Sequence, residues 1–246
     1  MIAITVQYKP FGFFWKRTLE TWLPARWSEM TARQIAAIPD LQSGRIDDSK
    51  LLHIFLGIKR HIAKRIDSYS KYCILRNLKY IAEPEPFGNF VIKTIVGFKA
   101  PGNQLKGVTF GAFIFGDTYY QNYLAGKKED LNRFIACFYV NRHGFNDKNI
   151  ETNAKIIGLV DIRIREAVAI NYVLIREWLA MAYPYVFQKA EAGQKQEKST
   201  GWVGVFDAVV GDDIANQEKY SEKPLSMILR FLNRKTKEYY KNGGKV

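Results

Sequence analysis

The sequence predicts a mainly α protein, a multi-helix bundle-like domain with a small N-terminal β-hairpin and a linker-tethered C-terminal helical segment. Apolar residues recur at intervals of three and four through most of the chain. A period of two marks the opening residues, where Ile2, Ile4 and Val6 alternate with smaller or polar side chains. The polar stretch QKAEAGQKQEKST lacks the apolar residues of a packed core. The expected organisation is a main domain over 1–187, a flexible linker over 188–200 and the helical segment over 201–246.

Composition places limits on the protein class. The chain has 246 residues, 47% of them hydrophobic, so it can bury a core without disulfides or metal. Its two cysteines, Cys73 and Cys137, lie in apolar runs and are predicted to be buried thiols in a reducing compartment. No signal peptide or membrane-length apolar stretch is evident, so we expect a cytoplasmic protein without membrane insertion. The net charge of +13 favours an acidic partner.

The first half of the chain is predicted to form a second strand at 13–21 and then several helices. Ser28 or Thr31 can cap the first helix, and Pro39 is expected to limit it. Helices are predicted from 47 to 56 and from 58 to 82, and EPEPFGNF then marks a structural joint before the extended segment VIKTIVGF. The apolar stripe expected to form the core face of the second helix is Ile58, Ile62, Ile66, Tyr69 and Cys73.

The second half begins with an aromatic-rich pair of helices, expected to form an antiparallel hairpin between 110 and 139. Its aromatic rings suit either a large core or, where exposed, a protein interface. A short helix at 152–159 and the longest helix, at 162–182, should follow, with Pro184 ending the latter. Gly211 is the expected C-cap of an apolar helix, and a last amphipathic helix should begin near Pro224.

No motif for catalysis or for cofactor binding stands out. The chain has three histidines, and His53 and His61 lack neighbouring residues at metal-ligand spacing. Phosphate-binding glycine loops and the nucleophile elbow are absent from the sequence. The run Gly211-Asp212-Asp213 is explained by ordinary helix capping. We therefore predict no catalytic residues, no metal and no cofactor, and a protein that is not an enzyme.

One run of positive charge, between 58 and 79, is a candidate binding surface. It holds seven Lys and Arg residues against the single Asp67, and Arg60 and Lys64 would share one side of a helix. This pattern fits phosphate contacts to nucleic acid, an acidic partner, or simply a solvated helix face. A second basic cluster, Arg230, Arg234, Lys235, Lys237 and Lys241, lies in the last predicted helix. The candidate residues of the first run are Lys59, Arg60, Lys64, Arg65 and Lys71.

Four stretches carry a resemblance to a known group of proteins. The first is LPARWSEMTARQI, in which Leu23-Pro24 precede Trp27, Glu29, Thr31 and Gln34. The others are FGDTYYQNYLAGKKEDLNRFIACFYV, AMAYPYVF, and GWVGVFDAVVG followed by PLSMILRFLNRKTKEY. Together they resemble tail-cluster proteins of Bacteroidetes phages and prophages, and the last stretch is similar to the C-terminal region of tail assembly chaperones.

This resemblance implies a phage morphogenesis protein, either a tail assembly chaperone or a minor virion structural protein. Its expected partners are phage structural proteins, the tape measure or the tail tube, or further copies of the chain. The expected location is the cytoplasm of the bacterial host or the virion. The resemblance carries no catalytic residues. The candidate interface residues are Trp27, Trp178, Trp202, Leu225 and Leu229.

Overall fold

A computed structural model describes residues 1–10, 15–187, 201–211, 213 and 216–242, which form a mainly α fold as predicted. The chain divides into two compact units, Met1–Phe87 and Gly88–Val246. The division falls inside EPEPFGNF, where the sequence predicted a joint. The predicted linker, 188–200, lies outside the described residues.

The first unit opens with the predicted hairpin. Strand β1 (Ile2–Tyr8) pairs antiparallel with β2 (Arg17–Leu23), so that each strand starts opposite the end of the other. Val6 and Leu23 are buried on one face, because alternate side chains of a strand point to the same side. The second strand begins later than predicted, and Phe13 and Phe14 lie outside the described residues.

Short helices make up the rest of the first unit. The Thr31 side chain and the Gln34 side chain cap each other's backbone N–H groups, which confirms Thr31 as an N-cap. Pro39 lies in the first turn of a new helix instead of only ending one, since a first turn tolerates the missing N–H. The helices are α1 (Ala32–Ile35), α2 (Ile38–Gln42), α3 (Asp48–Leu56), α4 (Arg60–Ala63) and α5 (Ser68–Leu75), with 3₁₀ turns at Trp27–Glu29 and Arg76–Ala82.

The prediction of one helix over 58–82 is wrong. Asp67 has an extended backbone and accepts a hydrogen bond from the N–H of Ser70 at 2.9 Å, so it caps a new helix. The restart rotates the following residues relative to the predicted stripe. Tyr69 and Cys73 are therefore exposed, and the predicted burial of Cys73 is also wrong. Ile58 and Ile66 of the predicted stripe are buried, and after Asp67 the buried side chains are Ile74, Leu78 and Ile81.

The second unit contains the longer helices. Its central helix α9 matches the predicted range of 162–182. The extended segment forms a hairpin of two strands, each two residues long. Lys99 of its second strand, β4, also pairs with Val140. The elements are β3 (Thr94–Ile95), β4 (Phe98–Lys99), α6 (Phe110–Leu124), α7 (Asp130–Phe138), α8 (Ile150–Ile157), α9 (Ile162–Ala182), α10 (Gly201–Val210), α11 (Gln217–Ser221) and α12 (Leu225–Lys241), with 3₁₀ turns at Asn103–Leu105 and Asp147–Asn149.

Aromatic rings form the core of this unit. Gly116 of α6 lies so close to α7 that an added Cβ would stand 2.4 Å from the Phe138 ring. One turn later, the centroids of Tyr120 and Phe134 lie 5.2 Å apart. The contact residue moves forward along α6, from Gly116 to Tyr120, while its partner moves back along α7, from Phe138 to Phe134. This order confirms the predicted antiparallel hairpin. Tyr172 of α9 packs 4.9 Å from both Tyr120 and Phe134, which joins three helices.

Backbone hydrogen bonds join the start of the last helix to the rest of the second unit. The Phe110 N–H donates to the Lys223 carbonyl at 2.8 Å, and the Leu225 N–H donates to the Val108 carbonyl at 2.9 Å. These two bonds join the start of α12 to the start of α6. Leu225 and Leu229 then bury their side chains on the same side of α12. Gly211 ends α10 with a φ of +57°, as its predicted C-cap role requires.

Candidate functional site

A buried cluster of polar side chains in the second unit is centred on Asp117 of α6. Its side chain is 3% exposed, and its two oxygens accept hydrogen bonds from the Tyr172 hydroxyl at 3.0 Å and the Trp202 indole N–H at 2.9 Å. The Arg176 Nε lies 3.6 Å from the same carboxylate. Burial raises the pKa of Tyr172 well above its usual value, so its hydroxyl remains a donor. Asp117 thus ties α6, α9 and α10 together.

We call Asp117, Tyr172, Arg176 and Trp202 the Asp117 anchor, because together they hold α10 against α6 and α9. Both carboxylate oxygens of Asp117 already have donors, and a buried carboxylate that loses its partners is strongly destabilising. Trp202 strengthens the same joint, because its ring packs 4.8 Å from Phe113 and 5.4 Å from Phe187. An open pocket of about 480 Å³ lies beside Tyr120 and Arg176, and apolar atoms form most of its lining. The anchor fixes where the C-terminal segment sits on its unit.

The outer face of α12 is the first candidate binding surface. Met227 and Phe231 are 53% and 42% exposed and lie one turn apart, so they form an apolar pair opposite the buried leucines. Arg230 and Arg234 border this pair, and the Lys235 ammonium lies 5.9 Å from the centre of the Phe231 ring. The helix carries five Lys and Arg residues against one glutamate. We call this patch the α12 face.

A second candidate surface lies on α5 and the 3₁₀ turn that follows. Tyr69 and Tyr72 are 77% and 63% exposed, three residues apart, and Arg76 lies exposed one turn beyond Tyr72. Lys79 continues the exposed side into the 3₁₀ turn. A hydrogen bond with the Cys73 thiol raises the pKa of Tyr69. We call this patch the α5 face.

The predicted basic residues do not all lie on one surface. Arg60 is the first residue of α4 and Lys64 is its C-cap, and α5 is a separate helix, so among the described residues no single helical ridge connects the whole run. Arg60 pairs with Asp47 at 3.5 Å, and the Lys71 ammonium donates to the Ser49 hydroxyl at 3.1 Å. The other predicted residues, Lys59 and Arg65, lie at the N-cap of α4 and just after its C-cap.

The predicted interface residues have internal roles in the structure. Trp27 is buried, and its indole N–H lies 3.2 Å from the carbonyl oxygen of Tyr80. Trp178 packs across Gly88, where an added Cβ would stand 2.8 Å from its ring. Trp202 belongs to the Asp117 anchor, and Leu225 and Leu229 lie on the buried side of α12. Each of the five therefore takes part in packing within its own unit.

Sequence reasoning missed the residues that make the two faces. Tyr69 was assigned to the core, and Tyr72 and Phe231 were not singled out. The signal for the α5 face was available as the sequence IDSYS, since an aspartate three residues before a helical N–H is a common N-cap. Placing the helix start at Asp67 turns both tyrosines outward. The signal for the α12 face was the apolar pair Met227 and Phe231, which lies on the side of the helix opposite the leucine stripe.

Comparisons with protein-family models, curated proteins and solved structures give no match to this chain.

Two further findings concern chemistry and membranes. Among the residues that the structure describes, no three His, Cys, Asp or Glu side chains are grouped so that they could hold a metal ion. Within the same ranges, no helix combines the length and the apolar character needed to cross a membrane.

Proposed function

We propose that the chain is a phage morphogenesis protein, either a tail assembly chaperone or a minor virion structural protein, that binds other proteins through the α12 face. The exposed pair Met227 and Phe231, bordered by cations, carries this proposal. Apolar side chains at the centre of a charged rim are typical of protein interfaces. The proposal assigns the chain no catalytic step.

The partner that fits the α12 face is an acidic, amphipathic segment. Apolar side chains of such a segment would cover Met227 and Phe231, and its carboxylates would meet Arg230, Arg234 and Lys235. On the resemblance described above, the tape measure and the tail tube subunit are the first candidates. Assembly would take place in the cytoplasm of the bacterial host, and the chain would then either leave or remain in the virion.

The anchor supports this use of α12. A binding helix loses less entropy when it is already ordered before the partner arrives. The backbone bonds at Phe110 and Leu225 and the Asp117–Trp202 hydrogen bond hold the segment on its unit. The α12 face is therefore presented as a preformed surface.

The test is binding to each candidate partner after co-expression with the tape measure and with the tail tube subunit of the same phage or prophage. We expect a complex on size-exclusion chromatography, and an affinity at least about tenfold weaker for the variant Met227→Ser/Phe231→Ser. Leu159→Ala is the matched control, because Leu159 is exposed in the same unit but outside the α12 face.

Two results would contradict the proposal. One is a wild-type chain that elutes without either tail protein at micromolar concentration. The other is a complex that the Met227→Ser/Phe231→Ser variant forms as tightly as the wild type. Self-association abolished by the same variant would instead assign the α12 face to contacts between copies of the chain.

A further inference from the structure

The α5 face has chemistry that protein binding at α12 does not use. Its two tyrosines are exposed although the same helix buries Ile74, so they are not part of an incomplete core. Tyr69, Tyr72 and Arg76 follow one another at intervals of three and four, which places them on one side of the helix. A planar aromatic surface therefore continues directly into a guanidinium group.

The charge along this part of the chain is mainly positive. Between 58 and 82 the chain has seven Lys and Arg residues, and Asp67 is the one acid. The Asp67 carboxylate is engaged at the helix start by the N–H and the hydroxyl of Ser70. Within the described ranges, Lys64, Arg76 and Lys79 have no carboxylate within 4.0 Å, and all three are exposed. They are available to an anionic partner.

A concavity lies beside the tyrosines. It has a volume of about 450 Å³, and Arg76 and Lys79 line it together with Tyr80 and Cys73. Tyr69 and Tyr72 are three residues apart, which is less than one turn of the helix, so their rings leave the same side of α5 as close neighbours. The face thus offers adjacent stacking rings and, next to them, a cationic hollow large enough for a phosphate.

We propose that the α5 face binds single-stranded nucleic acid. Bases stack on Tyr69 and Tyr72, and phosphates contact Arg76 and Lys79. Aromatic side chains with neighbouring cations are the common means of binding single strands, because every base has a face that can stack. A duplex hides those faces within its own stack, so single strands gain more from this surface. This proposal does not depend on the function of the α12 face.

The test uses the full chain and measures fluorescence anisotropy with labelled oligo(U) RNA, oligo(dT) DNA and a duplex, each of about 20 nucleotides. We expect salt-sensitive binding at about 50 mM salt, tighter to a single strand than to the duplex. The RNA and DNA arms show which backbone is preferred. Poly-glutamate of similar charge tests the alternative of an acidic protein partner.

Variants separate stacking from charge. Tyr69→Ala/Tyr72→Ala should weaken single-strand binding at least about tenfold, since each stacked base contributes strongly. Arg76→Glu/Lys79→Glu should weaken binding and reduce its salt dependence. Trp22→Ala is the aromatic control, because Trp22 is exposed in the same unit but outside the run. Lys128→Glu is the charge control in the other unit. All changed side chains are exposed, and circular dichroism checks the fold.

Three outcomes would overturn the proposal. They are no salt-sensitive binding to either strand, undiminished binding by the tyrosine variant, and equal or tighter binding to poly-glutamate. The α12 variant Met227→Ser/Phe231→Ser should bind oligo(U) like the wild type, and the tyrosine variant should still bind the tail protein. Failure of one proposal is therefore distinguishable from failure of the other.

Discussion

The tyrosines in the core of the second unit and those of α5 in the first unit are used in opposite ways. In the second unit, Tyr120, Tyr139 and Tyr172 are buried, and the Tyr139 hydroxyl donates to the Ile92 carbonyl at 2.6 Å. In the first unit, the tyrosines of α5 point into solvent among cations. The difference shows that aromatic content does not locate a binding surface. The rotational phase of each helix, set by where it begins, decides whether a ring is buried or presented to a partner.

The largest effect is expected from removal of the Asp117 carboxylate, which accepts a hydrogen bond from the buried Tyr172. Asp117→Ala leaves the Tyr172 hydroxyl, the Trp202 indole N–H and Arg176 without their acceptor. We expect a loss of at least about 3 kcal/mol in the free energy of unfolding of the second unit. Hydrogen exchange in a urea series measures this unit by unit.

The control for this change is Glu129→Ala, an exposed carboxylate of the same unit, which should cost no more than about 0.5 kcal/mol. Binding to the tail protein should fall in Asp117→Ala, since α10 loses its anchor, while single-strand binding at the α5 face should persist. An equal loss of hydrogen-exchange protection in both units would contradict the prediction that the change destabilises the second unit and not the first.

High pH should next distinguish buried from exposed tyrosines. Burial raises the pKa of Tyr120 to about 12, above its usual value of 10.0. The raised pKa means that the stabilisation is complete below pH 10 and is lost as the pH rises to 12. The shift corresponds to about 2–3 kcal/mol.

Urea unfolding of the second unit at pH 9 and pH 11.5 measures this loss. Tyr120→Phe should lose less stability over that interval, because it has no hydroxyl to ionise at that site. Lysine deprotonation affects both proteins and cancels in their difference. An identical loss in the two proteins would contradict the assignment to Tyr120.

The smallest effect concerns Asp67, the acid within the cationic run. Asp67→Asn keeps an effective N-cap and removes the charge, so single-strand binding should become about twofold tighter. Asp67→Ala removes the charge and the cap, and the gain should shrink as α5 loses order. Anisotropy titration of both variants measures the two effects. Weaker binding by Asp67→Asn would contradict the proposal that the ligand of the α5 face is an anion.

The sequence predicted the regular elements better than the surfaces. The range of α9 followed from a long apolar stripe that ends before Pro184, and the hairpin of α6 and α7 followed from similar stripes. The stretch 58–82 failed because continuous spacing was followed across Asp67, although the cap restarts the helix there. The bond between Asp117 and Trp202 spans 85 residues of sequence. It depends on tertiary packing, which no local pattern encodes.

The backbone bonds between α6 and the start of α12 have a consequence for synthesis. The Phe110 N–H and the Lys223 carbonyl are more than a hundred residues apart in sequence, so this pairing closes a long loop. Domains form from the N-terminus as the chain leaves the ribosome. We expect the first unit to complete its contacts early, while the Phe110 and Phe113 rings at the start of α6 lack their contacts with Trp202 until α10 emerges. Chains shortened before α10 should therefore aggregate, whereas those shortened within the last turn of α12 should not.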